Sequence, residues 1–165
     1  MELKELCDRI SEEAADITEQ VLHRWGEIAE SEPWLALPAD LDFDHLPALI
    51  RRMAVASLCT TFDRGACRDM LAAAATHGEH RARQGFDESL IYREYHLLRR
   101  ALWARMKSDH GESANVYYAS IRMDAISTLA TAGALHGMHR TELEEQGRWP
   151  AVLEEIMTEW SLPVA

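Results

Sequence analysis

The sequence has only three cysteines among its 165 residues, and Cys7, Cys59 and Cys67 form no CxxC pair. An odd number of widely spaced cysteines does not suit a disulfide framework. We therefore expect reduced, partly buried thiols in a cytoplasmic protein. A reactive sensor thiol is the alternative, because an accessible thiolate can be oxidised.

Long apolar runs are also missing. No stretch approaches the roughly 18–20 apolar residues that a helix needs to cross a bilayer. The N-terminus, MELKELCDRI, carries acidic residues in its first turns and has no apolar core of a signal peptide. The sequence predicts a soluble, cytoplasmic protein without a membrane partner.

Basic residues are outnumbered, with 17 Lys and Arg against 28 Asp and Glu, and the formal net charge is −11. No stripe of Lys and Arg interleaved with aromatic residues runs along the chain, so nucleic acid is not an expected partner. The catalytic patterns GxSxG, GxxxxGK[ST] and HExxH are absent as well. We expect a domain that is not an enzyme.

The residues that are abundant favour helices. Hydrophobic residues make up 47% of the chain, mostly Ala and Leu, and the aromatic residues that strands prefer make up 7%. Apolar positions recur at steps of three and four, as on one face of a helix. The pattern predicts an all-α bundle of five to six helices, with a globin-like arrangement as an open variant. The predicted helices cover about 3–31, 42–62, 64–83, 88–107 and 113–145, followed by a short helix in RWPAVLEEIMTEW.

Several local signals place the helix ends and faces. Asp63 and Asp87 are predicted N-caps, and Gly85 is a predicted C-terminal stop. Trp34 and Leu37, in the loop before the second helix, are expected to cover the core. The predicted inner face of the long fifth helix consists of Tyr117, Ile121, Ala125, Leu129, Ala132, His136, His139 and Leu143.

A five-residue pattern occurs twice, as HGEHR at 77–81 and HGMHR at 136–140, and holds half of the eight histidines. Each copy follows a run of small residues, which allows two helices to approach closely. Close helix packing is therefore the first interpretation. Glycine costs about 1 kcal/mol relative to alanine inside a helix, so a glycine there suggests close backbone approach or room for a ligand.

A metal or haem site is the second interpretation. His77 and His80, like His136 and His139, are three residues apart and share a helix face. The carboxylates that a di-iron bundle adds in register are missing. If a transition metal or haem binds, these four histidines are the candidate ligands; the residues do not identify a cofactor.

A polar pocket inside an apolar bundle is the third interpretation. His77, Arg81 and Glu94 lie on or beside the apolar stripes of two consecutive helices. A buried Arg and Glu usually pair, because an unpaired buried charge is costly. The predicted pocket for a small ligand or a proton consists of His77, Arg81, Gln84, Glu94, Tyr95 and Leu98.

The stretch HGEHRARQGFDESLIYREYHLLRRAL (77–102) resembles the RsbT co-antagonist RsbRD N-terminal domain family. The matching residues are His77, Arg81, Gln84, Gly85, Leu90, Glu94, Tyr95, Leu98 and Arg99, and DHLPALIRRMAVA (44–56) is similar to the family's second helix. The resemblance implies an all-helical, non-catalytic signal-input domain of sensor histidine kinases, stressosome-type regulators or transcription factors.

The same resemblance bears on domains and partners. It implies a sensory domain over 1–147, a homodimer, and a downstream signalling domain or partner protein. RWPAVLEEIMTEWSLPVA (148–165) looks like a helix and linker that lead into a PAS-like domain.

The central block is also similar to globin-coupled sensors, in which a helical histidine binds haem, with His77 or His80 as the candidate ligand.

Overall fold

The computed structural model describes residues 3–38, 43, 45–58, 63–108 and 114–159. Within these ranges the regular structure is entirely helical, which confirms the predicted all-α bundle. The helices are α1 (Leu3–Glu12), α2 (Ala14–Ser31), α3 (Leu46–Leu58), α4 (Arg64–Arg83), α5 (Glu88–Ser108), α6 (Ala114–Met138), α7 (Arg140–Glu145) and α8 (Trp149–Glu159), with a 3-10 turn at Pro33–Leu35.

Two of the six predicted helices are each divided in two, which accounts for the eight helices in the described ranges. The first is interrupted at Glu13 and the fifth at His139, and hydrogen bonds to backbone carbonyls continue across both positions. Neither residue is proline or glycine. Local sequence therefore contains no signal for either interruption.

The ends of α4 and α5 lie where the capping residues place them. The Asp63 carboxylate accepts hydrogen bonds from the backbone N–H groups of Gly65 and Ala66, at 2.8 and 3.3 Å. Gly85 has a φ of +85° and ends α4, and the Asp87 carboxylate accepts from the Leu90 N–H at 3.0 Å. The two carboxylates accept hydrogen bonds from backbone N–H groups that the start of a helix leaves unpaired. All three predictions are confirmed.

The inner face of α6 differs from the prediction. Tyr117 and Ile121 are 70% and 49% exposed, and His136 and His139 are also exposed; Leu129 and Leu143 are buried as predicted. α6 packs against α3, α4, α5 and α8, so its buried residues occupy more than one face and form no single stripe. The residues that it buries are Val116, Ala119, Ser120, Met123, Ile126, Ser127, Leu129, Ala130, Gly133, Ala134 and Gly137.

The loop before α3 also differs from the expectation in part. Trp34 is 75% exposed and does not cover the core, whereas its neighbour Leu35 is buried and Leu37 packs against the core from a partly buried position. The Trp25 indole N–H donates to the Leu35 carbonyl at 2.8 Å and holds this segment in place.

Among the helices of the described ranges, none has the length and apolar character for crossing a membrane.

The two copies of the repeated pattern form the crossing of α4 and α6. A Cβ atom added to Gly78 would lie 1.9 Å from the Ala134 carbonyl oxygen, and one added to Gly137 would lie 2.0 Å from the Ala75 carbonyl oxygen. Each glycine thus faces the alanine that precedes the other glycine by three residues. The repeat produces a reciprocal backbone contact, which confirms close helix packing as a role of both copies.

Candidate functional site

A buried charged cluster joins the C-terminal half of α4 to α5. His77 and Arg81 are one turn apart on α4, and Glu94 lies on α5 after the tight turn at Gly85. The exposed fractions of these three side chains are 1%, 0% and 0%. Charged residues are almost never buried this completely without partners.

The Glu94 carboxylate is the centre of the cluster. It accepts from Arg81 Nη2 at 2.7 Å and from Arg81 Nε at 3.1 Å, and its Oε2 atom lies 2.9 Å from His77 Nε2. An ionised carboxylate only accepts hydrogen bonds, so Nε2 of His77 carries the proton in this contact. Arg81 Nη1 also donates to Gln84 Oε1 at 2.6 Å. One side chain on α5 therefore binds two on α4.

Two aromatic rings enclose the guanidinium. The Cζ atom of Arg81 lies 4.6 Å from the centroid of the Phe43 ring and 5.2 Å from that of Phe86. Such contacts stabilise a cation that has left water. Phe86 directly precedes Asp87, the predicted N-cap of α5. Phe43 was missed, because it lies in the loop before α3 and carries no periodic signal.

The environment of Glu94 favours its ionised form. Burial by itself raises the pKa of this carboxyl, but the charge of His77 and the hydrogen bonds from His77 and Arg81 outweigh burial and hold the pKa below its usual value. At Tyr95, the next residue on α5, burial raises the pKa well above the usual range, and the Glu94 charge raises it further. The cluster therefore holds a carboxylate beside a neutral phenol.

The lowered pKa of Glu94 predicts a loss of stability in acid. A lowered folded-state pKa gives stability that is present above the ordinary carboxyl value of about 4.3 and is lost as the pH falls through the folded-state pKa. We expect Glu94→Gln to flatten the decline in the free energy of unfolding below about pH 4 by up to about 1.4 kcal/mol per pH unit. Urea unfolding across this range measures the slope.

The matched control for this pH dependence is Glu19→Gln, which changes an exposed carboxylate on α2. This variant should keep the decline of the wild type. If the free energy of unfolding declines equally steeply with falling pH in Glu94→Gln and Glu19→Gln, Glu94 does not have the lowered pKa that its contacts indicate.

The structure brings most of the predicted pocket residues together. His77, Arg81, Gln84 and Glu94 are joined by hydrogen bonds. The Tyr95 ring meets the His77 ring edge-to-face at 6.0 Å, and Leu98 is fully buried in the same core one turn further along α5. The role of these residues in binding a ligand remains a prediction.

The four histidines of the repeat do not converge. His77 is engaged by Glu94, and the rings of His80 and His45 are 4.8 Å apart. His136 Nδ1 donates to its own helix at the Ala132 carbonyl, and His139 Nε2 contacts Glu88 at 2.8 Å. The described part of the chain contains no group of three or more His, Cys, Asp or Glu arranged to hold a metal ion.

The cysteines agree with the expected buried thiols where the structure describes them. Cys7 and Cys67 are free and buried, and Cys59 lies outside the described residues. Burial, followed by the charge of Asp63, raises the pKa of the Cys67 thiol. A raised thiol pKa reduces the reactive thiolate, so Cys67 does not suit the role of a redox sensor.

Comparison with known proteins agrees with the resemblance seen in the sequence. The family model described as "RsbT co-antagonist protein rsbRD N-terminal domain" matches residues 15–152. No curated protein and no solved structure matches the chain. The match covers α2 to the first residues of α8, and so includes the cluster on α4 and α5 and the crossing of α4 and α6.

Proposed function

Because the chain belongs to the RsbT co-antagonist RsbRD N-terminal domain family, we propose that it is the signal-input domain of a bacterial signalling protein such as a sensor histidine kinase. In this proposal the domain acts in the cytoplasm, as a homodimer, without catalysis of its own. It changes conformation on binding a small ligand, a proton or a partner. The family match supports the coarser part of this statement, a regulatory domain of stress signalling.

The observation that carries the switching role is the buried cluster of His77, Arg81 and Glu94. A buried ion pair is weak support for stability, since well-packed apolar residues of similar volume often serve as well or better. A cluster of this kind is, however, a suitable switch. One added proton changes the charge, and one displaced hydrogen bond leaves a charged group without its partner, in a place where water cannot compensate.

Contacts lead from this cluster toward the C-terminus. Glu79 lies on α4 between His77 and Arg81, and its carboxylate contacts Arg140 Nη1 of α7 at 3.3 Å. The Arg140 guanidinium in turn lies 5.0 Å from the centroid of the Trp149 ring, at the start of α8. The backbone contact between Gly78 and Ala134 couples α4 to α6 as well. A shift of α4 would therefore move α6, α7 and α8 together, as in other helical switches.

A test of the proposed function is a His77→Gln replacement in the native gene. Glutamine can still donate a hydrogen bond to Glu94 but cannot carry a positive charge, so we expect the stress-induced transcripts of the host to change at a fixed signal level. The matched control is His136→Gln, at the same position in the second copy of the pattern, where the side chain is exposed. RNA sequencing measures the output, and immunoblotting checks protein levels.

Unchanged transcripts in the His77→Gln strain, with normal levels of folded protein, would refute the switching role. A change of equal size in the His136→Gln strain would refute it too, because the effect would then not depend on burial in the cluster.

A further inference from the structure

The outward side of α5 and α6 contains a cleft that is separate from the space filled by the charged cluster. Its volume is about 360 Å³, which falls in the usual range for small-molecule sites. On α5 it is bordered by Tyr92, Tyr95 and Arg99, and on α6 by Thr131, Ala132 and Leu135. The walls combine these aromatic and aliphatic side chains with His96 and with the hydroxyl groups of Ser127, Thr128 and Thr131, which donate to carbonyls of their own helix.

One residue that borders the cleft, Tyr95, has a buried hydroxyl group without a hydrogen-bond partner. Tyr95 is 2% exposed, and its hydroxyl makes no hydrogen bond to any described residue. Buried polar side chains nearly always have a partner, and an exception calls for an explanation. Because Tyr95 borders the cleft, a molecule that enters the cleft can supply the missing partner.

The opening of the cleft carries positive charge although the chain as a whole is acidic. Arg99 is 40% exposed and contacts Asp124 through Nη1 at 3.4 Å, and its guanidinium has further donors. Burial lowers the pKa of the neighbouring His96, and the charges of Arg99, Arg100 and Arg93 lower it further. An anionic group is therefore favoured at the opening.

Near Tyr95 the charge is negative, in contrast to the opening. The Glu94 carboxylate is adjacent to Tyr95 in the chain, and its charge acts on the Tyr95 hydroxyl. A second anion close to this hydroxyl would be repelled, whereas a neutral hydroxyl or carbonyl group would not. The two ends of the cleft therefore select different groups of one ligand.

We propose that the cleft between α5 and α6 binds a small aromatic carboxylate that carries a neutral hydrogen-bonding group at its other end. The carboxylate binds Arg99, the ring packs against Tyr92, Ala132 and Leu135, and the neutral group bonds to the Tyr95 hydroxyl. The further inference that this ligand is the signal of the domain rests on the proposed function. The edge-to-face contact between Tyr95 and His77 connects the cleft to the buried cluster.

Calorimetric titration with three probes tests the proposal. They are 4-hydroxyphenylacetate, phenylacetate (which lacks the hydroxyl) and tyramine (which has an ammonium group in place of the carboxylate). We expect the wild type to bind 4-hydroxyphenylacetate about fivefold more tightly than phenylacetate, the effect of one hydrogen bond. Tyramine should bind more weakly than 4-hydroxyphenylacetate.

Two variants assign the contacts. Tyr95→Phe should bind the first two probes equally, and Arg99→Gln should lose the preference for the carboxylate over the ammonium. Tyr117→Phe is the matched control: this tyrosine of α6 is 70% exposed and does not line the cleft, so the fivefold preference should remain. Circular dichroism checks that each variant is folded.

Absence of binding by all three probes would overturn the proposal, as would a fivefold preference that persists in Tyr95→Phe. The proposed function is tested separately by the transcripts of the His77→Gln strain. Binding with the expected selectivity and unchanged transcripts would support the ligand site and refute only the switching role.

Discussion

Gly78→Ala is expected to lower the free energy of unfolding by about 3 kcal/mol or more. The added Cβ would lie 1.9 Å from the Ala134 carbonyl oxygen and 2.6 Å from the carbonyl carbon. Both are backbone atoms, so no side-chain rotation can relieve the overlap, and α4 and α6 must move apart. Urea unfolding followed by circular dichroism measures the loss.

The matched control is Gly26→Ala. Gly26 lies within α2, and nothing lies within 4 Å of an added Cβ. Alanine is the better helix former, so this variant should be up to about 1 kcal/mol more stable than the wild type. If Gly78→Ala is also neutral or stabilising, the backbones of α4 and α6 are not in contact at this crossing.

Arg81→Ala is expected to lower the free energy of unfolding by about 3–5 kcal/mol, since it leaves the buried Glu94 carboxylate without its guanidinium partner. Both side chains are 0% exposed. The matched control is Arg140→Ala, at the same position in the second copy of the pattern. Arg140 is 35% exposed and pairs with Glu79 and Glu144, so its loss should cost about 1 kcal/mol or less.

A double variant separates the charge effect from the loss of packing. Arg81→Met keeps much of the side-chain volume, and Glu94→Gln removes the charge that would be left unpaired. The loss in the double variant should therefore be smaller than the sum of the losses in the two single variants. If the losses of the single variants simply add up in the double variant, or if the melting temperature barely changes in Arg81→Ala, then Arg81 and Glu94 do not stabilise each other.

Local sequence was sufficient for the features that depend on a few neighbouring residues. The bounds of α4, the caps at Asp63 and Asp87 and the stop at Gly85 all follow from backbone groups that must find partners within one turn. The charged cluster was predicted for a similar reason. Glu94 lies beside the apolar stripe of α5, and a buried carboxylate needs a cation on the adjacent helix.

The two copies of the repeated pattern show what the sequence alone determined and what it did not. The sequence determined that both copies lie on helices with a glycine suited to close packing. Only the tertiary structure decided that His77 and Arg81 are buried while His136 is exposed and Arg140 is half-buried. The reason is that burial of a charged side chain depends on the partner that another helix provides, and α5 places Glu94 beside the first copy.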